Sequence, residues 1–278
     1  MLRSSPIRTP TSTSPSANNA PLTKTMSKLI KDFARLLEDR GFIIENEAEI
    51  SQVPNEDYSL AKQIFKSSEV LVPLMSKLAI GIKDEKDTIS YNISYKGGMS
   101  IVRQFLQNIV DQFLGNLKKQ KLISTWESKG ECQYEILLPK DETKRRFFRS
   151  AWAEQVFRHV IMKTVQGFCK LRKIRFKAFQ NACLRRTNED HLFTELDLVV
   201  QIEKHFYIFE IKSGPYIDII QWAKREMYLA KECDSVRNIV CTIYDNIPEK
   251  IFEPQLLLKL SNIESGLSKI LESDFPSA

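Results

Sequence analysis

A chain of 278 residues, 42% hydrophobic and 27% charged, has the composition of an ordinary globular protein and length for one large domain or two modest ones. No apolar run nears the 18 or more residues of a membrane span, so neither a transmembrane helix nor a membrane partner is expected. The five cysteines form no CxxC pair and the three histidines no i, i+4 pair; this argues against zinc knuckles, disulfide frameworks and histidine-built zinc sites, and fits a reduced, cytoplasmic setting.

Residues 1–25 are rich in Ser, Thr, Pro and Asn without periodicity and read as a disordered tail, with Met26 as a second candidate start. From Ser27, the residues Leu29, Phe33, Leu36 and Leu37 recur at helical spacing until Gly41. Residues 58–82 predict one or two further helices, and Asp87 to Tyr95 alternates as a strand does. Ile101 to Leu117 is amphipathic, with Phe105, Ile109, Phe113 and Leu117 four apart. A hairpin follows, from Leu122 to Glu127 and from Cys132 to Leu138, turning at Lys129 and Gly130. A helix followed by a two-stranded wing is the outline of a winged helix.

The second half has a different rhythm. Phe147 to Gly167 predicts a helix, Ile174 to Phe179 a short strand, and Phe193–Ile202 with Phe206–Ile211 two strands joined by a tight turn. Pro215 opens a helix to about Cys233, in keeping with proline's place in a first turn, and Val236 to Ile243 is a last strand. The predicted organisation is an α/β chain: a tail (1–25), a helical, winged-helix-like α+β domain (26–140), and a domain (141–278) with the order αβββαβ.

Chemistry concentrates in Thr194-Glu195-Leu196-Asp197-Leu198 and Phe209-Glu210-Ile211-Lys212-Ser213. Strand side chains alternate between faces, so Glu195 shares a face with Asp197, and Glu210 with Lys212. A tight hairpin brings three carboxylates and one ammonium together. Clustered acids raise one another's pKa unless a cation is present; Mg²⁺ or Mn²⁺ would resolve the conflict with oxygen ligands. On the helix before these strands, Glu154 lies on the line of Phe157 and Ile161, at i+3 and i+7. An acid there is either a member of the site or the polar edge of an apolar stripe. For Asp197, Glu210 and Lys212 the bland alternative is an exposed salt-bridge face; for Glu195 it is a surface residue.

The strand segment resembles the signature of the PD-(D/E)XK (restriction-endonuclease-like) nuclease superfamily, in which an acid on one strand precedes a (D/E)-x-K triplet on the next. Here the acid is Asp197, without a preceding proline, and the triplet is Glu210-Ile211-Lys212. Trp152 and Glu154 resemble the G-x-W-x-E motif, without its glycine, of the nuclease domain in CARF-containing CRISPR ancillary nucleases. The resemblance covers about residues 145–245. It implies a restriction-endonuclease-like core, with Asp197, Glu210, Glu154, Glu195 and the Ile211 carbonyl as metal ligands and Lys212 positioning or activating water. Those effectors carry a Rossmann-like CARF sensor; no alternating strand–helix pattern precedes residue 140 here, so ligand-activated regulation is not carried over.

The net charge of +6 is mild, but basic residues cluster at Lys144–Arg149, Lys170–Lys177 and Arg185–Arg186. Lys173, Arg175, Arg185 and Arg186 are candidate phosphate contacts, with a solvated lysine-rich face as the alternative. Ser213 is a candidate substrate contact. Gln221, Lys224 and Tyr228 resemble, at looser spacing, the Gln…Tyr motif of RecB-like nucleases. The expected function is a metal-dependent endonuclease acting on DNA or RNA, with DNA favoured. The alternative is a non-catalytic nucleic-acid-binding or interaction protein on the same scaffold. The N-terminal half would bind nucleic acid or form a homodimer.

Overall fold

In the computed structural model of the protein, the described residues are 31–45, 51–52, 58–94, 100–188, 192–213, 235–245 and 256–276. The expected tail and the helix predicted from Pro215 to Cys233, with Gln221, Lys224 and Tyr228, lie outside them.

Residues 31–38 form the helix α1, which Gly41 ends at a positive φ of 75°, the left-handed conformation that glycine adopts at little cost. Two short strands follow, β1 (Phe42–Ile44) and β2 (Ser51–Gln52). The region predicted as one or two helices is two, α2 (Ser59–Lys66) and α3 (Ser68–Lys83). Strand β3 (Thr88–Asn92), helix α4 (Ser100–Lys119) and the hairpin β4 (Thr125–Gly130) and β5 (Gln133–Leu137) complete the N-terminal half, with sheet order β3-β5-β4. The hairpin turns two residues later than predicted, at Cys132, whose φ is 60°. The four-residue stripe of α4 is buried only in its second half, at Val110, Phe113, Leu114 and Leu117; Ile101 and Phe105 are exposed. Gly81 lets α3 lie close on β3, since a Cβ there would stand 1.8 Å from Ile89 Cδ1.

Helix α5 (Glu142–Arg146) passes through a π-helical turn (Phe147–Ala151) into the long helix α6 (Trp152–Arg172). Then come β6 (Phe176–Gln180), β7 (Ala182–Arg186), β8 (Leu192–Leu196), β9 (Leu198–Ile202), β10 (His205–Lys212), β11 (Val236–Thr242), β12 (Leu256–Lys259) and α7 (Ile263–Asp274). The main sheet runs β12-β11-β10-β9-β6-β2, with β10, β11 and β12 parallel and β9 antiparallel to its neighbours. A second sheet, β1-β7-β8, stands beside it. The chain is thus a mixed α/β fold.

Both faces of the main sheet are covered. Val200, Tyr207, Phe209, Ile211 and Ile239 face α6, in one cluster that also includes Leu71, Leu74 and Leu78 of α3 and Ile136 of β5. The same core therefore runs through both halves of the chain. Val199, Phe206, Ile208 and Val236 pack on the opposite side with Phe33 and Leu37 of α1. Burial on both faces explains why β9 and β10 read as nearly continuous apolar runs. A Glu at position 210 inside such a run stands out.

Candidate active site

The predicted strand Phe193–Ile202 is broken at Asp197, which is the single residue between β8 and β9. On one side, Leu196 pairs with Ala182 and Glu195 with Cys183 in the small sheet. On the other, Leu198 pairs with Phe209 in the main sheet. The chain changes sheets at Asp197, and its carboxylate takes over the next position of the ladder: Asp197 Oδ2 accepts a hydrogen bond from Ile211 N at 2.7 Å. This fixes the acid beside the Glu210-Ile211-Lys212 triplet. It also corrects the expected pairing of Glu195 with Asp197 on one strand face. The bend turns Glu195 into the small sheet, where it is exposed; only its charge is felt at Asp197.

Glu210 has a side chain only 2% exposed, and it forms an ion pair with Lys212, which is 30% exposed. Glu154 stands in the first turn of α6, half-buried, with the buried Arg158 guanidinium 3.9 Å from its Oε2. Sequence reading missed Arg158; its one signal was the i, i+4 spacing to Glu154. Trp152 is buried in the core. Ser213 donates through Oγ to the Arg149 carbonyl at 3.4 Å in the π-helical turn, and Tyr244 donates through its hydroxyl to the Ser213 carbonyl at 3.3 Å. The end of β10 is thereby tied to the helix that carries Glu154.

Electrostatics follow from this packing. Burial pushes the Asp197 carboxyl up to about 7; the Ile211 amide and Lys212 work against that rise, and the charges of Glu154 and Glu195 add to it. Burial disfavours the Lys212 ammonium, but the Glu210 charge and hydrogen bond, with Asp197 and Glu154, outweigh it and hold the lysine's pKa above its usual value. Lys212 is therefore held as a cation beside Glu210 and Asp197.

The donor set around the triplet consists of the Asp197 and Glu210 carboxylates and the Ile211 carbonyl. These are hard oxygen ligands, suited to Mg²⁺ or Mn²⁺. Among the described residues, no three His, Cys, Asp or Glu side chains are gathered at ligand spacing. The fit is thus to two carboxylates and a backbone carbonyl, the remaining positions falling to water and phosphate as Mg²⁺ allows.

The other predicted contacts are dispersed. Arg175 and Lys173 precede Phe176, which pairs with Ile202, itself opposite His205. They stand at the far end of the eight-residue β10, roughly 20 Å from Lys212 at about 3.3 Å per residue. Arg185 and Arg186 are at the outer end of β7, and the Arg186 guanidinium stacks 4.7 Å over Phe193. The thiols of Cys132, Cys169 and Cys241 are buried, and Cys183 is half-buried.

No protein-family model matches the chain, and no curated protein matches it. Among solved structures, protein VC1899 from Vibrio cholerae is similar at 14% identity and a TM-score of 0.49, covering 86% of this chain and 60% of that one. Can2 from Sulfobacillus thermosulfidooxidans, in complex with cyclic tetra-adenylate, is similar at 12% identity and a TM-score of 0.49, covering 85% of this chain and 57% of that one. The chain spans less than two thirds of the length of both, and likenesses of this degree assign it no activity. Among the described residues no helix is long and apolar enough to cross a membrane.

Proposed function

We propose that the chain is a metal-dependent endonuclease of the PD-(D/E)XK type, hydrolysing phosphodiester bonds of nucleic acid, with DNA favoured, using Mg²⁺ or Mn²⁺. The observation that carries this reading is the Asp197 carboxyl: it accepts from the Ile211 amide beside the triplet, and burial, with smaller contributions from the charges of Glu154 and Glu195, pushes its pKa up to about 7. A buried acid among acids has a use once a divalent cation joins it. When held by Asp197, Glu210 and the Ile211 carbonyl, such an ion would supply Lewis acidity at the phosphate and an acidified water.

The chain's own residues supply the rest. Lys212, kept charged by Glu210, offsets negative charge growing on the phosphate and holds the attacking water by donated hydrogen bonds. Glu154 orients the shell from the helix side. Ser213 is within reach of the flanking backbone. Lys173, Arg175, Arg185 and Arg186 are contacts for nucleic acid beyond the cut, and Gln221, Lys224 and Tyr228 remain candidates of the same kind. Cleavage of a panel of DNA and RNA substrates with Mg²⁺, Mn²⁺ or EDTA tests the reading; equal cutting in excess EDTA overturns it.

One observation favours the second reading, a nucleic-acid-binding or interaction protein that does not cut. The Lys212–Glu210 ion pair already gives Glu210 a cation. A titration with Mn²⁺ separates the two: the endonuclease binds the ion, and the non-catalytic protein does not.

A further inference from the structure

A cleft of about 550 Å³ opens beside the triplet, lined by Ile80 and Lys83 of α3, Arg149 and Trp152 of the helix leading to Glu154, and Ser213 and Tyr244 after β10 and β11. We infer that this cleft receives one nucleotide of the substrate strand next to the scissile phosphate, its base against Ile80 and Tyr244 and its phosphate toward Lys83 and Arg149. The inference rests on the endonuclease reading for the identity of the strand, and on the cleft alone for the shape of the site.

Three features point to that occupant. First, the cleft's lining borders the candidate site along the chain: Ser213 follows Lys212 directly, and Trp152 stands two residues before Glu154 at the start of α6. Second, its walls offer apolar and aromatic surface at the water boundary. Ile80 is 55% exposed on a helix whose other apolar residues are largely buried. Among the described residues the buried indole Nε1 of Trp152 has no hydrogen-bond partner. A heterocyclic base stacks on such surface irrespective of its sequence. Third, the charges are complementary to phosphate. Lys83 is exposed at the end of α3. Arg149 pairs with Glu142 at 2.7 Å in an open, solvent-facing contact, which contributes little and can be exchanged for a phosphate.

The N-terminal half would then act on substrate through α3, which packs against the π-helical turn, and not only through the α4–β4–β5 wing. A short fluorescein-labelled DNA strand and its fully abasic counterpart test this by anisotropy in Ca²⁺. Because a sequence-tolerant strand can slide until some base fills the cleft, the fully abasic strand should bind about tenfold more weakly, and restoring one base near its middle should recover most of that loss. Ile80→Asp, an exposed change that the fold tolerates, should bind the intact strand about tenfold more weakly and lose that preference. Lys83→Glu should weaken all strands alike and lower the log–log salt slope by about one unit. Equal affinity for the intact and the fully abasic strand, no binding of the intact strand, or an undiminished preference in Ile80→Asp overturns the cleft assignment. Parallel assays in Mg²⁺ keep the two ideas apart. Cleavage without base preference sinks the cleft alone. Base preference without cleavage supports the cleft and sinks the endonuclease reading.

Discussion

The two ends of the main sheet each hold a half-buried aspartate, and they treat it in opposite ways. At the end where β10 begins, Asp274 closes α7 onto the sheet. Its Oδ1 accepts from Arg237 Nη2 at 2.6 Å and its Oδ2 from the Tyr207 hydroxyl at 3.0 Å. At the end where β10 finishes, Asp197 has one backbone amide, the Lys212 charge and two acids of its own sign, Glu154 and Glu195. The first acid is surrounded by donors and works as a clasp. The second is left where burial favours its protonated form, an arrangement that makes little sense for stability alone.

That contrast can be broken at several points. The largest effect should come from the catalytic end. Asp197→Ala or Lys212→Ala should lower cleavage at least a hundredfold with an unchanged circular dichroism spectrum, since both residues face a polar site. Wild-type activity in either variant removes the site.

Metal substitution should come next. Calcium should support binding of DNA but little turnover, because its looser geometry places water and phosphate less well. Rapid cutting in Ca²⁺ alone would contradict the assigned ligands.

At the other end, Asp274→Ala leaves Arg237 and the Tyr207 hydroxyl without their shared acceptor. It should cost about 3 kcal/mol of stability, read as a lower Tm, while turnover below the transition is unaltered. An equal loss of turnover would show that the two ends are coupled.

The smallest effect is in pH dependence. In EDTA, the folded-state pKa of Asp197, about 7, lies above its ordinary 3.8. Its contribution to stability is therefore complete below about 4, falls as pH rises, and is lost once pH passes about 7. The difference in Tm between wild type and Asp197→Asn, which cancels the histidines, should move against wild type across that window. A flat difference would mean that the carboxyl is ionised throughout.

Much of the candidate site was legible because strand alternation is a strict rule. Glu210 and Lys212 interrupt apolar runs at positions two apart, and Asp197 does so on the preceding segment. The break at Asp197 was not legible: Phe193–Ile202 contains neither Gly nor Pro, and the change of sheet is imposed by tertiary pairing with β7. Strand β7 itself went unread because Arg185 and Arg186 spoil its alternation. The distance of Lys173 and Arg175 from the triplet was hidden for a related reason: chain neighbours of a strand's first residue stand far from a site at its other end. The short strands β1 and β2 carry too few residues to show any period. Helix α7, by contrast, has Ile263, Leu267 and Leu271 buried four apart, a helical signal that reading for the nuclease motif passed over.

The π-helical turn at Phe147–Ala151 bears on how this chain tolerates insertion and deletion. Such a turn holds one residue more than a regular α-helix of the same rise. Deleting Ser150 would restore a regular helix with its two flanks still in register, because the turn already absorbs the extra residue. The change would be confined to the turn, where the Arg149 carbonyl accepts from Ser213 Oγ. A single-residue deletion within the regular part of α6 has no such turn to absorb it and would rotate one part of the helix about 100° against the other. Related chains should therefore keep their spacing more strictly across α6 than across this turn.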